Sequence, residues 1–261
     1  MPLRNGFATL GALTAAVLIL AIYLLLHPDG SVLALLVGSV AVLVLISYIV
    51  AANTATSAFG EFMRGWLIGL NAVLNALLGY AIFSHVIGPR AGLICAAVIG
   101  VANLLTALGP VSQNGVYQAV LGYMNWFMPM SWLIVVIGAV FYVISFLLHL
   151  VTAGRVEYLK VQSVGADWST GTLFMRGGLI ANLNYLDTAF NMGNFSFVDY
   201  KSGDWHKDHE AGHTLNLAAF GSVFHLIGAV DENALRGSQA YSERLAESNS
   251  STGGSNIPMW T

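Results

Sequence analysis

The chain has 261 residues, of which 56% are hydrophobic and 9% charged, with a formal net charge of −3. Ordinary soluble domains carry roughly 25% charged residues, so the composition argues against a freely soluble single domain. The absence of a basic patch argues against a nucleic-acid partner, and the single cysteine, Cys95, rules out an internal disulfide or a cysteine zinc cluster.

The charges are segregated. Arg4, Asp29, Glu61, Arg64 and Arg90 are the only ones before Arg155, and the other eighteen begin with it. A membrane span needs about 20 mainly apolar residues in helix, because hydrocarbon offers no partner to an unpaired amide. Residues 7–26 form the first such run, and Arg4 ahead of it with no small-x-small site after it reads as an uncleaved anchor. The turn residues His27-Pro28-Asp29-Gly30 lead to a second run at 31–52. A polar link over 53–61 precedes a third at 66–86. Gly88-Pro89-Arg90 ends it, and 91–108 and 128–150 make the fourth and fifth, with 109–126 a loop or interfacial helix between them. Trp66, Trp126 and Trp132 lie near span ends, as interfacial aromatics do. Arg4 and Arg64 fall on one side of a five-span bundle and Arg90, Arg155 and Lys160 on the other, so the charges set no orientation. Asn71 and Asn75, four apart on one face, are expected to bond to a neighbouring helix.

From Arg155 the pattern changes. Residues 156–161 and 172–176 alternate as strands, Asp167-Trp168-Ser169-Thr170-Gly171 is a turn, and 194–200 is a further strand. A helix is expected from Trp205 or His206 through Ala229, and a shorter one over 238–248. The Ser/Gly/Asn-rich 249–261 reads as a disordered tail. The expected architecture is an α-helical membrane bundle of about five spans (1–154) followed by a small α+β metal-binding domain (155–248).

The chemistry-bearing run is His209-Glu210-Ala211-Gly212-His213. Residues four apart on a helix share a face about 6 Å apart along the axis, so both imidazoles can hold one zinc ion. Glu210 points aside, where it can deprotonate a metal-activated water. By composition alone this pattern is expected about 0.004 times in such a chain. A third protein ligand is required, with water in the fourth place. Glu243 on the later helix is preferred, with Glu232 second and Glu247 third. Asp231 and Glu232 otherwise serve to close a helix end. His225 lies twelve residues beyond His213, about 18 Å away on a continuous helix, and His206 is a surface residue one turn before His209.

His209 to His213 matches the HExxH signature of zincin metallopeptidases, and the later helical glutamate resembles the gluzincin arrangement. The chain is also similar to bacterial membrane or secreted proteins in which a Gly-Asn-aromatic strand precedes HExGHT and a Glu-x-x-Ala helix follows. Here these parts are Gly193-Asn194-Phe195, His209 to Thr214 and Glu243-Arg244-Leu245-Ala246. The resemblance covers residues 190–248. It implies that zinc is held by His209, His213 and Glu243, that Glu210 is the general base, and that the strand 195–200 is an edge that pairs with an extended peptide. Where the commoner form has Asp after Glu-x-x-Ala, this chain has Glu247. Tyr241, Tyr200 and His225 are the candidates to stabilise an oxyanion.

Two functions follow. One is a membrane-anchored zinc metallopeptidase acting on a peptide or protein in a bacterial cytoplasmic membrane. The other is a zinc-stabilised, non-catalytic subunit of a larger membrane assembly, since five spans exceed what anchoring requires. An intramembrane protease is disfavoured because the five runs lack an aspartate.

Overall fold

The computed structural model describes residues 2–26, 30–183, 189–199, 207–250 and 255–260. Four helices come first. α1 (Pro2–Leu26) and α2 (Gly30–Thr54) are mainly apolar. α3 (Ala58–Ile87) starts where the Ser57 hydroxyl accepts from the Gly60 amide at 3.0 Å, so part of the expected polar link is already helix. α1 and α3 touch backbone to backbone: a Cβ on Gly65 would lie 1.7 Å from the Ala8 carbonyl oxygen, and one on Gly69 2.3 Å from that of Ala12. Small residues permit this approach, which is how helices associate when no water drives them together. α4 (Pro89–Leu105) packs against α3. At 17 residues it lies at the short limit for a span, and it covers 89–105 where the sequence suggested 91–108.

Among the described residues five other helices are long and apolar enough to cross a membrane, which marks the chain as an integral membrane protein. They are α1, α2, α3, α7 (Trp132–Val151) and α9 (Lys207–Val230). The fifth is the helix that carries the histidine motif. Between α4 and α7 lie the short α5 (Gly109–Ser112) and α6 (Gly115–Met124), the latter capped by the Asn114 side chain.

A four-stranded mixed sheet follows α7, in the order β1-β2-β4-β3. β1 (Val161–Asp167) pairs antiparallel with β2 (Thr172–Gly177) across the expected turn, where Asp167 accepts from the Ser169 amide at 2.9 Å. The strand expected over 156–161 starts only at Val161, because β2 supplies partners no further than Gly177; residues Glu157–Leu159 form a 3₁₀ turn instead. After α8 (Leu179–Leu183), β3 (Ala189–Met192) and β4 (Phe195–Val198) form a hairpin around Gly193, whose φ of +71° a glycine adopts without steric cost. β4 also pairs in parallel with β2. The expected edge strand at 195–200 is therefore interior, and the edges are β1 and β3.

α9 is two helical pieces. Gly221 sits at φ +80°, ψ 176°, which breaks the helix between 207–220 and 222–230. Carbonyls before such a break lose their amide partners four residues on. Those of Ala218 and Ala219 are taken by side-chain amides of the bundle: Asn71 Nδ2 donates to them at 3.1 and 3.0 Å, and Asn103 Nδ2 to Ala218 at 2.8 Å. Asn75 serves differently, its Oδ1 accepting from the Met130 amide at 2.9 Å. α9 continues into a π-helical turn at Asp231–Arg236, then α10 (Tyr241–Glu247) folds back along it.

One hydrophobic core joins the two halves of the chain, so residue 154 is no break in packing. Ile68 and Leu70 of α3 and Tyr48 of α2 pack with Leu215, Phe220 and Phe224 of α9 and Leu245 of α10. A second cluster seats Phe195, Phe197 and Met175 of the sheet between α7 and Leu217 of α9. The expectation of a disordered 249–261 is also corrected for the described residues. Trp260 is 1% exposed and its indole N–H donates to Asn216 Oδ1 at 3.0 Å, while Ser112 Oγ donates to the Met259 carbonyl at 2.9 Å. Trp260→Ala should destabilise the protein by about 3–5 kcal/mol, measured as denaturant unfolding in detergent micelles; a change near zero would mean that the segment is not anchored.

Candidate metal centre

Helical spacing on the first piece of α9 places the His209 and His213 rings together, with centroids 4.9 Å apart. A third group arrives from α10, which runs antiparallel to α9 with Ala246 beside Gly212 and Ser242 beside Gly228. A Cβ on Gly212 would sit 2.4 Å from the Ala246 carbonyl oxygen, so only glycine at the fourth position of the motif lets the two backbones meet. At that separation Glu243 reaches both histidines. Its carboxylate oxygens lie 3.1 Å from His209 Nε2 and 3.2 Å from His213 Nε2, and the two Nε2 atoms are 3.2 Å apart.

These distances suit a divalent cation. Ligands about 2.0–2.1 Å from a tetrahedral ion lie about 3.3 Å from one another, close to all three separations. Two ring nitrogens and a carboxylate directed at one point are a donor set of the kind that holds zinc, and His209, His213 and Glu243 together could hold a metal ion. The tautomer of His209 is fixed from behind. Its Nδ1 lies 2.8 Å from Glu247 Oε2 and donates there, which leaves Nε2 as the nitrogen that faces the centre and would bind an ion. Burial alone would raise the pKa of Glu243, but the charge of His213 and hydrogen bonds from both rings outweigh it and hold the carboxyl well below its ordinary 4.5.

The structure separates the candidate acids. Glu243 joins the two histidines, whereas Glu247 supports His209 from its far nitrogen. Asp231 closes the helix end, accepting from the Tyr48 hydroxyl at 2.8 Å and the Tyr241 amide at 3.2 Å. Glu232 lines the same cavity but is not one of the clustered residues. Tyr241 is packed against Tyr48 and Phe224 in the core and lines no part of the cavity. Tyr200 and His206 lie outside the described residues.

Glu210 is 3% exposed and, with the three clustered residues, lines a cavity of about 450 Å³. β3 forms another wall. Asn191 Nδ2 donates to the Glu210 carbonyl at 3.0 Å and to Thr214 Oγ1 at 3.2 Å, and Thr214 Oγ1 donates to the Gly193 carbonyl at 2.7 Å. The Gly-Asn-aromatic turn and the threonine that ends HExGHT are thus bonded to each other. His225 also lines the cavity, its ring centroid 6.3 Å from that of His213 instead of a helix length away. The break at Gly221 brings it there, and its Nε2–H donates to the Asn191 carbonyl at 3.1 Å. Sequence spacing places His225 too far away and passes over Asn191; the available signal was Gly221, a glycine inside an apolar helix.

Comparison with protein-family models, curated proteins and solved structures finds no match. The site therefore stands on its own geometry. His213→Ala should lose bound metal, and Glu247→Gln should retain it with affinity reduced about 10–100-fold, both measured by metal titration of the purified full chain. A carboxyl whose pKa is lowered on folding stabilises the native state fully above its unfolded value, and that stabilisation is lost as pH falls. The metal-free protein should accordingly melt at lower temperature as pH drops from about 5 to 3, with a shallower slope in Glu243→Gln; equal slopes would remove Glu243 from the cluster.

Proposed function

We propose that this chain is a zinc metallopeptidase of gluzincin type, embedded in a bacterial cytoplasmic membrane and hydrolysing peptide bonds. The observation that carries the reading is the convergence of His209, His213 and Glu243 at metal-ligand spacing beside the buried Glu210, inside a cavity large enough for a peptide segment. A zinc ion held there supplies an acidified water and polarisation of the scissile carbonyl.

The protein's own residues do the rest. Glu210, adjacent in sequence to a ligand and pointing into the cavity wall, takes the proton from the attacking water on its carboxylate and delivers it to the leaving amine. Glu247 keeps His209 in the tautomer that faces the centre. Ala189–Met192 is an edge strand lining the same cavity, which supports binding of the substrate in extended form along it. A structural zinc site is closed by four protein ligands. Among the described residues three are gathered, which favours the peptidase over the accessory-subunit reading.

Glu210→Gln should bind zinc as the wild type does and lose peptide hydrolysis by at least about a thousandfold, assayed on the zinc-loaded full chain in detergent with a quenched fluorescent peptide. Undiminished hydrolysis by that variant would end the mechanism.

A further inference from the structure

The cavity is lined by side chains of two kinds. Beside the polar His209, Glu210 and Glu243 it has apolar contributions from α7 (Ile134 and Phe141) and from α9 (Leu226 and Ala229). Both helices are among the five long and apolar enough to cross a membrane. The apolar wall also reaches the outer surface. Leu226 lines the cavity while 45% exposed, and Val230, one turn further along α9, is 60% exposed. The outer face of α7 continues the same character through Val136, Val140 and Val143. Glu232 and Asn233, just past the apolar run of α9, line it as well.

An opening bordered by exposed aliphatic side chains of two spans adjoins hydrocarbon, not water. It admits what the bilayer dissolves. The opposite wall, however, is the edge strand β3, whose backbone suits an extended polypeptide better than an acyl chain. We propose that the cavity receives an unwound apolar stretch of a membrane-borne polypeptide, entering from the bilayer between α7 and α9 towards the metal centre. The inference takes its chemistry from the peptidase reading, and its binding step can be tested apart from it.

The test uses the zinc-loaded full chain in phosphatidylcholine vesicles. The first probe is a lysine-flanked single-span peptide of leucine and alanine carrying a photoreactive leucine. The second is the same peptide with serine replacing the leucines, which stays in water. The span peptide should label lining residues of α7 and α9 and be cleaved, and the serine peptide should be roughly tenfold weaker in both, about what burial of one leucine-sized side chain gives. Leu226→Arg should reduce labelling by the span peptide at unchanged zinc content; the two-peptide comparison on the wild type decides the matter should that variant fail to fold. Equal labelling and cleavage of both peptides would overturn the inference and leave the peptidase standing. So would labelling of the cavity by a photoreactive phosphatidylcholine that the span peptide does not displace. Labelling by the span peptide without cleavage would uphold the inference and remove the peptidase reading, and labelling by neither probe would overturn it.

Discussion

Two asparagine side chains hold the point on which this architecture turns. α9 breaks at Gly221, and Asn71 of α3 and Asn103 of α4 occupy the carbonyls of Ala218 and Ala219 next to the break. In an apolar surrounding, an unpaired carbonyl is costly, so the break exists only where donors are waiting for it. Once it is in place, the two pieces of α9 have separate directions. The first carries His209, Glu210 and His213, and the second turns His225 back into the same cavity and offers Tyr48 and Tyr241 a place beside Phe224. Asn71 and Asn103 also bond to each other at 3.1 Å, which ties the clasp together.

Around that hinge, close backbone contact does most of the positioning. Gly212 against Ala246 sets the separation of α9 and α10, and this separation determines whether Glu243 meets the imidazoles or falls short of them. A second line of contact, from Thr214 to Gly193 and from Asn191 to Glu210, holds the sheet edge against the other side of the motif. The three clustered residues and Glu210 therefore belong to elements that are braced on both flanks, as a site requiring sub-ångström placement must be.

The legibility of these features differed with their range. Spans such as 7–26, 31–52 and 128–150 were evident because a twenty-residue apolar run has few other uses. The His209–His213 pair was evident because its geometry is local to one helix. Preference for Glu243 was also recoverable, since a carboxylate on a returning helix is a common third partner. What escaped were consequences of contacts distant in sequence. The helix expected from Trp205 or His206 through Ala229 was assigned to a domain following the bundle, whereas its later turns are covered by α2, α3 and α10. β4 was mistaken for an edge because no strand signal preceded it strongly enough to reveal β3 as its outer neighbour. The segment holding Trp260 is rich in small polar residues, and its anchoring depends on three apolar side chains, Ile257, Met259 and Trp260, that composition dilutes.

Chain order has a further consequence for the ligand triad. His209 and His213 emerge from the ribosome ahead of Glu243, with the reversal at Asp231–Arg236 between them. Proteins begin to organise from the amino-terminal end during synthesis, so the early helices and the sheet are available before the third donor exists. A metal taken up by this cluster would therefore find its third donor last, since a growing polypeptide that stops short of residue 243 has the two histidines without the carboxylate that joins them.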